Sequence, residues 1–239
     1  MSEHTAIVLQ ARMGSTRLPG KVLAAINGKP VLTHCVERLR QSSLPVIVAT
    51  STAGEDDAIE ELGRKLGVAV VRGPADDVLA RYALAVTRFD LFEVVRATAD
   101  NPAVDMEAAD RCLELLRRTG ADHVVERGLP LGAAVEAVSA SAILIAADQA
   151  TSASDREHVT PFIKASDQFV AIDAIAPGAL RRPSLRLTVD TAEDLDYVRK
   201  VFSRLVDMST PASLAEIMRA ADRLQLSETG NDGAVRSTR

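Results

Sequence analysis

The sequence predicts an α/β fold in which helices cover both faces of a mostly parallel central sheet. The first observation is that apolar runs of strand length alternate with segments of helical periodicity four times within the first hundred residues. The second is that these apolar runs are continuous, which is typical of strands buried on both faces. The third is that 47% of the 239 residues are hydrophobic, which is enough for a sizeable core.

The first half of the chain supplies the regular part of this pattern. Strands are predicted over residues 5–9, 45–50, 68–71 and 91–96, and helices over residues 30–39, 55–66 and 77–88. Pro30 suits the first turn of a helix, and Gly67 suits the position just after a helix ends. Ligands of such sheets bind beyond the carboxyl ends of the strands. The loops over residues 10–20, 50–54 and 97–105 are therefore expected to meet at one edge.

The second half is less regular. Helices are predicted over residues 105–118, 139–150, 156–165 and 191–206, and strands over residues 122–127, 135–138, 169–175 and 185–190. A last helix is predicted to begin at Thr210, an N-cap residue, followed by Pro211 in the first turn. Because residues 227–239 are polar and contain glycine, we expect one domain over residues 1–226 and a flexible tail after it.

Composition and charge exclude several classes of protein. The net charge of −5 argues against a generally basic nucleic-acid binder, and seven aromatic residues are too few for a base-stacking surface. The two cysteines, Cys35 and Cys112, exclude a disulfide scaffold and fit a reducing compartment. No apolar run reaches the roughly 18 residues of a membrane span, and residues 1–4 do not resemble a signal peptide. We therefore expect a soluble cytoplasmic protein.

A basic loop directly follows the first predicted strand. It carries Arg12, Arg17 and Lys21 among glycine, serine and threonine residues. The backbone N–H groups of such a loop, together with its cations, can hold a polyphosphate. The loop is not a Walker-A motif, because the GxxxxGK[ST] spacing is absent. Since 23 of the 28 basic residues are arginine, a solvated basic loop is the alternative interpretation.

Two aspartates lie at the ends of predicted strands. Asp100 follows the fourth strand, and Asp190 ends the strand over residues 185–190. A carboxylate at this edge can bind Mg²⁺ that bridges the phosphates of a nucleotide. If both strands are parallel neighbours, the two carboxylates face one site and could share a metal ion. The alternatives are a turn before Pro102 for Asp100 and a helix N-cap for Asp190.

The histidines and cysteines show no metal-ligand spacing, so a zinc site is not expected. His158 could be functional, although a packed or capping role is the simpler interpretation. No serine–histidine or cysteine–histidine grouping indicates a nucleophile.

One long motif carries a resemblance to a known family. Residues 10–23, QARMGSTRLPGKVL, resemble the opening of the cytidylyltransferase family that includes spore-coat polysaccharide biosynthesis proteins. That family is similar to the CMP-acylneuraminate and 3-deoxy-manno-octulosonate cytidylyltransferases. Further matching stretches follow in the same order over residues 48–51, 72–79, 96–102, 156–161 and 187–195. The resemblance covers roughly residues 5–202.

The resemblance implies a Rossmann-like, three-layer nucleotidyltransferase fold with an irregular middle insertion. Residues 123–175, within the nucleotidyltransferase domain, would form an acceptor-binding and dimerisation region. CTP would be the donor, and an oxygen of an acidic sugar or related acceptor would attack the α-phosphate and release pyrophosphate. Magnesium would be the cofactor and a homodimer the expected assembly, without nucleic-acid or membrane partners.

The resemblance also implies roles for individual residues. Arg12 and Lys21 would hold the triphosphate and, with Asp100, act in catalysis. Asp100 and Asp190 would be the magnesium ligands. The residues implied in nucleotide binding are Leu9, Ala11, Arg12, Gly14, Ser15, Arg17, Lys21, Thr50, Ser51 and Arg72. The residues implied in acceptor binding are Glu136, Arg156 and His158.

Two positions depart from the family pattern. The family commonly has an aspartate where this chain has Ala134, and a cysteine or glutamate where it has Asn101. We interpret these differences as a change of acceptor. The alternatives are the same fold with another NTP, a phosphonate or cyclitol acceptor, or a catalytically inactive nucleotide-binding subunit.

Overall fold

Strands and helices alternate through the computed structural model, which describes residues 4–205 and 210–235, with side chains up to residue 227. The strands are β1 (Thr5–Gln10), β2 (Ala25–Ile26), β3 (Lys29–Pro30), β4 (Val46–Ser51), β5 (Ala69–Gly73), β6 (Glu93–Thr98), β7 (His123–Arg127), β8 (Glu136–Ser139) and β9 (Ala171–Ile175). The α-helices are α1 (Val31–Leu39), α2 (Asp57–Lys65), α3 (Val78–Phe89), α4 (Ala108–Thr119), α5 (Ala140–Gln149), α6 (Ala153–His158), α7 (Pro161–Ala165), α8 (Ala192–Phe202) and α9 (Leu214–Val235).

The central sheet has the strand order β5-β4-β1-β6-β8-β7-β9. Its neighbouring strands are parallel except around β8, which runs antiparallel to β6 and β7. The predicted mostly parallel sheet is thus confirmed. β4 and β5 lie on one side of β1, and β6 lies on the other, so the strand order reverses beside β1. Ligands of α/β sheets bind beyond the strand ends at such a point. Gln10 at the end of β1 is level with Ala49 and Thr98, so three loops leave the sheet at one edge.

The continuous apolar run of β1 reflects cover on both faces of the sheet. Ile7 and Leu9 pack with residues of α1, α4, α8 and α9 on one face. Ala6 and Val8 pack with residues of α3 and α5 on the other. All four side chains are fully buried. Burial on two faces removes the alternation of polar and apolar residues that a half-exposed strand would show.

The strand predicted over residues 185–190 is not a strand of the central sheet, and this prediction was wrong. The segment is extended, but it pairs with a loop through a single bridge between Leu131 and Arg186. The Leu187 N–H donates to the Leu131 carbonyl at 2.8 Å, and the Val189 N–H donates to the Asp100 carbonyl at 2.8 Å. Its alternate residues, Leu187 and Val189, are buried, which explains its strand-like pattern.

The helix predicted over residues 156–165 is two short helices, α6 and α7. Val159 separates them with a φ of 72°. Pro161 contributes to the break because it lacks the N–H group that a continuous helix would use there. α6 also begins earlier than predicted, because the Ser152 hydroxyl caps it by accepting from the Asp155 N–H at 3.1 Å.

The last helix begins later than predicted, at Leu214 instead of Thr210. Ser213 and Glu216 form the reciprocal bonds of a capping box ahead of it: the Glu216 carboxylate accepts from the Ser213 N–H at 2.7 Å, and the Ser213 hydroxyl accepts from the Glu216 N–H at 3.3 Å. The helix continues to Val235, past the predicted limit of the domain at residue 226.

The described part of the chain leaves out residues 206–209, which include the predicted end of α8, and residues 236–239. Within the described part, no helix has the length and apolar character needed to cross a membrane.

Candidate active site

A polar cavity of about 320 Å³ lies at the carboxyl edge of the sheet. The loop after β1, the ends of β1 and β6, the start of α3 and the end of α6 line it. Asp190 joins them from the extended segment before α8. The cavity therefore occupies the place where the strand order reverses.

Lys21 connects two carboxylates in this cavity. Its Nζ lies 2.9 Å from Asp100 Oδ2 and 2.9 Å from Asp190 Oδ1. Lys21 is 9% exposed and begins a short 3₁₀ helix after Gly20, whose φ of 71° turns the loop back toward the sheet. The two acidic residues are adjacent because the Val189 N–H binds the backbone carbonyl of Asp100. A loop-to-loop pairing, and not two neighbouring strands, thus brings these carboxylates together.

Asp190 is held ionised by three cations. Arg17 Nη2 lies 3.1 Å from its Oδ1, and Arg186 Nη2 lies 2.9 Å from its Oδ2. Burial opposes ionisation of Asp190, but the hydrogen bond and charge of Lys21, with the two arginines, lower its pKa below the ordinary value. The N-cap of α8 is Thr191, so Asp190 does not cap this helix and its carboxylate faces the cavity.

Arg186 and Asp194 each form a hydrogen bond with Asp190. The sequence did not indicate this pair. Arg186 Nε donates to Asp194 Oδ1 at 2.6 Å. Asp194 also accepts from the backbone N–H groups of Asp190 and Thr191, each at 3.0 Å. The hydrogen bond from Arg186 is the main cause of a pKa of about 2 for Asp194. Asp194 stands in the first turn of α8, where an acidic side chain is favourable whatever its partners, so the sequence does not reveal its bond to Arg186.

The donor set fits a magnesium ion that is shared with a substrate. Asp100 and Asp190 supply hard carboxylate oxygens, both within hydrogen-bond distance of one ammonium nitrogen. Among the described residues, no group of three or more histidine, cysteine, aspartate or glutamate side chains forms a complete metal cage. Mg²⁺ is commonly held by one or two protein carboxylates together with water and substrate phosphates. The pair therefore suits a metal that binds with a nucleotide.

The basic loop is anchored by a buried aspartate that the sequence did not single out. Asp56 Oδ1 accepts from the Met13 N–H at 2.7 Å, and its Oδ2 accepts from the Ser51 N–H at 3.1 Å. Asp56 is 1% exposed and directly precedes α2. From the sequence alone it resembles an acidic residue at the start of a helix. In the structure it ties the loop after β1 to the end of β4.

The cations of the basic loop differ in their partners. Arg12 Nη2 lies 2.7 Å from Glu157 Oε1 of α6, and both side chains are substantially exposed. Arg12, Ser15 and Arg17 line the cavity with Lys21. Two cations of the loop, Lys21 and Arg17, thus contact the carboxylate pair, and its third cation, Arg12, is held by α6.

The other residues implied in nucleotide binding occupy varied positions. Ala11 lines the cavity, whereas Leu9, Thr50 and Ser51 are buried beside it. Among the described residues, the Thr50 hydroxyl has no hydrogen-bond partner. Arg72 does not line the cavity: it donates to the carbonyls of Ser51 and Ala53 at 2.8 and 2.9 Å, and it pairs with Asp57 and Glu60. Gly14 lies in the loop, next to the anchored Met13.

Of the residues implied in acceptor binding, His158 lines the cavity. Arg156 instead donates to Asp77 Oδ2 at 3.0 Å and to a backbone carbonyl. Glu136 does not line the cavity. Its carboxylate lies 3.0 Å from Nη1 of Arg96, which does line it. Burial opposes ionisation of Glu136, but contacts with His123 and the charge of Arg96 lower its pKa well below the ordinary range.

Arg81 of α3 is a cavity residue that the sequence did not single out. It is 1% exposed, and its Nε and Nη1 have no hydrogen-bond partner among the described residues. Burial lowers the pKa of this guanidinium from its ordinary value. No signal in this arginine-rich sequence separates Arg81 from a solvated residue on an amphipathic helix.

Comparison with known proteins gives one consistent result. The family model described as cytidylyltransferase matches residues 6–223. The spore coat polysaccharide biosynthesis protein SpsF of Bacillus subtilis is 34% identical over 205 residues, which cover 82% of this chain and 85% of SpsF.

Two further proteins agree. A 3-deoxy-manno-octulosonate cytidylyltransferase of Anaeromyxobacter dehalogenans is 36% identical over 110 residues, which are 45% of each chain. The structure of a cytidylyltransferase from Leptospira borgpetersenii matches with a TM-score of 0.85 and 28% identity, and the match covers 93% of this chain and 95% of that one. The extent of these matches shows that the chain belongs to the cytidylyltransferase family and is a nucleotidyltransferase.

Proposed function

We propose that the protein transfers CMP from CTP to a small acidic acceptor, with release of pyrophosphate and with Mg²⁺ as the cofactor. The observation that carries this proposal is the position of Lys21, at the end of the basic loop, between Asp100 and Asp190. Transfer of a nucleotidyl group needs bound cations on both sides of the reacting phosphate more than it needs a nucleophile from the protein.

The two carboxylates and the three cations of the basic loop have different roles in the proposed transfer. Asp100 and Asp190 would hold the divalent cation, which when bound neutralises phosphate oxygens and holds them for in-line attack. Arg12, Arg17 and Lys21 bind the phosphates that leave. The acceptor oxygen forms a bond to the α-phosphorus while the bond from that atom to the bridging oxygen breaks. The electron pair departs with pyrophosphate, and the proton of the acceptor hydroxyl passes to solvent.

Charge supports an acidic acceptor. The cavity is lined by five arginine and lysine side chains and three carboxylates: Arg12, Arg17, Lys21, Arg81 and Arg96 against Asp100, Glu157 and Asp190. Two of those carboxylates are assigned to the metal and three of the cations to the leaving phosphates, which leaves Arg81 and Arg96 against Glu157. Two of the relatives are named as cytidylyltransferases of 3-deoxy-manno-octulosonate and of its 8-amino derivative, which are acidic sugars. Ala134 favours an acceptor that differs from theirs.

We also propose a cytoplasmic homodimer in which the region over residues 123–175 joins two copies. β9 is an edge strand, and Ile175 at its end is 76% exposed. Val170, directly before β9, and Leu131, in the loop between β7 and β8, are each more than half exposed. An exposed apolar edge strand is a surface that pairs readily with another strand.

The buried free thiols of Cys35 and Cys112 fit a reducing compartment, which supports the cytoplasmic location.

The test is release of pyrophosphate from CTP with Mg²⁺ and a panel of acidic sugars, cyclitols and phosphonates. We expect release with one of these acceptors and none when Mg²⁺ is removed by a chelator. Calorimetry with each NTP accompanies the assay. Selective binding of another NTP would assign a different donor, CTP binding without turnover on any acceptor would favour an inactive subunit, and binding of no nucleotide would refute the proposal.

A further inference from the structure

We propose that Glu157 regulates phosphate binding: its carboxylate competes with the phosphates of the substrate and of the product for Arg12. This inference rests on the proposed function, in which Arg12 binds the leaving phosphates, and it adds a residue that opposes that binding. The observation behind it is the ion pair between Arg12 Nη2 and Glu157 Oε1, which lie 2.7 Å apart at the cavity.

Each cation of the basic loop has a carboxylate partner in the structure. Lys21 and Arg17 contact the two aspartates that are proposed to bind the metal, whereas Arg12 contacts Glu157. When phosphates take the cations, the metal ion would become the new partner of the aspartates. Glu157 has no second partner among the described residues. Phosphates that bind Arg12 therefore have to displace this carboxylate into solvent, and their affinity is lowered.

A strained turn holds Glu157 beside the basic loop. Val159, which ends α6, has a φ of 72° and a ψ of −55°, and the Thr160 N–H donates to the His158 carbonyl at 2.9 Å. These values describe a γ-turn with positive φ, which is rare and strained. Such backbone strain persists where surrounding contacts impose it, often at functional sites. Here Val159 is fully buried and the Thr160 hydroxyl donates to Glu136 at 3.0 Å.

A second anchor lies on the other side of Glu157. Arg156 Nη1 donates to Asp77 Oδ2 at 3.0 Å, and Arg156 Nε donates to the Ala150 carbonyl at 2.9 Å. No residue of α6 is buried, so these contacts, and not an apolar face, keep the helix in place. The backbone is thus fixed on both sides of Glu157, and exchange of its carboxylate for a phosphate needs rotation of one side chain only.

The exposure of the pair sets the size of the effect. The Arg12 and Glu157 side chains are 41% and 50% exposed. Exposed ion pairs are weak, so the competition should lower phosphate affinity about 2- to 5-fold. The same competition acts on pyrophosphate after the transfer. Glu157 therefore favours release of the product from Arg12.

The test compares the wild-type chain with Glu157→Gln by calorimetry, using CTP and inorganic pyrophosphate, each with Mg²⁺. Glutamine keeps the length of the side chain and removes its charge. We expect the variant to bind both ligands about 2- to 5-fold more tightly than the wild type. Glu61→Gln is the matched control, because it removes an exposed ion pair with Lys65 on α2, outside the cavity, and changes the net charge equally. Its affinities should equal those of the wild type.

A double-mutant cycle determines whether the effect passes through Arg12. In the Arg12→Met chain the contact is absent, so addition of Glu157→Gln should change the affinity for either ligand less than about 1.5-fold. Thermal melting checks the fold, and we expect Glu157→Gln to melt with the wild type because the side chain is half exposed.

Four results would overturn the inference. Weaker binding by Glu157→Gln would mean that Glu157 orients Arg12 for phosphate, and unchanged binding would mean that the ion pair has no effect. An equal gain in affinity with and without Arg12 would assign the effect to the general field of the carboxylate. Each of these results leaves the proposed function standing. Binding of neither ligand by the wild-type chain would remove both proposals.

Discussion

Asp100 and Asp190 share one hydrogen-bond donor, the ammonium group of Lys21, which lies 2.9 Å from an oxygen of each. Without Lys21, two partly buried negative charges would face each other with less compensation. The same position suits a divalent cation. The proposed metal would therefore compete with Lys21 for the same two carboxylates, and binding of a nucleotide with Mg²⁺ would free the ammonium group for a phosphate.

This competition makes the response of Lys21→Met to Mg²⁺ informative. In the absence of metal we expect the variant to lose about 1–3 kcal/mol of unfolding free energy, the size of a hydrogen bond to a charged group. Addition of Mg²⁺ should raise its melting temperature more than that of the wild type, because no ammonium has to be displaced. Lys29→Met, which removes a surface ion pair with Glu37, is the control. An equal response of both variants to Mg²⁺ would contradict the competition.

Neutralising either of the two carboxylates proposed to bind the metal should stop turnover without unfolding the chain. We expect Asp100→Asn and Asp190→Asn each to lower pyrophosphate release at least about 100-fold, because the charge at the reacting phosphate is no longer balanced. Circular dichroism checks that the fold survives. Asp196→Asn, on the exposed face of α8, changes the same chemical group and should remain active. Comparable activity in all three variants would refute the assignment.

Gly132 controls the position of Asp190 through a close backbone contact. Its φ is 93°, and a Cβ there would lie 2.6 Å from the backbone nitrogen of Thr188. Gly120 has a φ of 68° with open space around it, so Gly120→Ala should cost only the conformational strain of about 1–2 kcal/mol. Gly132→Ala should cost a further ~1–3 kcal/mol for the clash and also lower activity. Urea unfolding of the two variants measures the difference, and equal losses would mean that the contact is not tight.

The pair of Asp194 with Arg186 should give a pH-dependent contribution to stability. The pKa of Asp194 is about 2, below its ordinary value of 3.8, so its stabilising effect is complete above pH 4 and is lost as the pH falls toward 2. We expect Asp194→Ala to lower unfolding free energy by about 1 kcal/mol or more at pH 7, because it also removes a capping-box residue. The difference in unfolding free energy between the variant and the wild type should narrow below pH 4. A difference that stays constant down to pH 2.5 would exclude the ion pair as its source.

The sequence predicted the features that depend on local pattern. β1 was recognisable because cover on both faces leaves a continuous apolar run, and the basic loop was recognisable because three cations follow that strand at once. Asp100 was placed correctly at the carboxyl edge of the sheet because it lies two residues after the end of β6. Each of these inferences needs only neighbouring residues and the rule that parallel strands end at one edge.

The features that the sequence did not show depend on contacts between distant parts of the chain. The segment before Asp190 alternates like a strand, yet it pairs with the loop at Leu131. Arg81 is buried because Gly73, on another element, leaves room for its stem. Asp56 resembles a helix-start residue until its bond to Met13 is seen. β2 and β3 were missed because two residues are too few to show a period, although Asn27 and Gly28 are typical of the turn between them.

The most direct measurement is a crystal structure of the protein with Mg²⁺ and a non-hydrolysable analogue of CTP. We expect the metal between Asp100 and Asp190 and in contact with a phosphate oxygen, with Lys21 on a phosphate instead of on the carboxylates. A nucleotide bound away from this cavity, or a bound nucleotide with Lys21 still joining the two carboxylates and no metal beside them, would contradict the central claim.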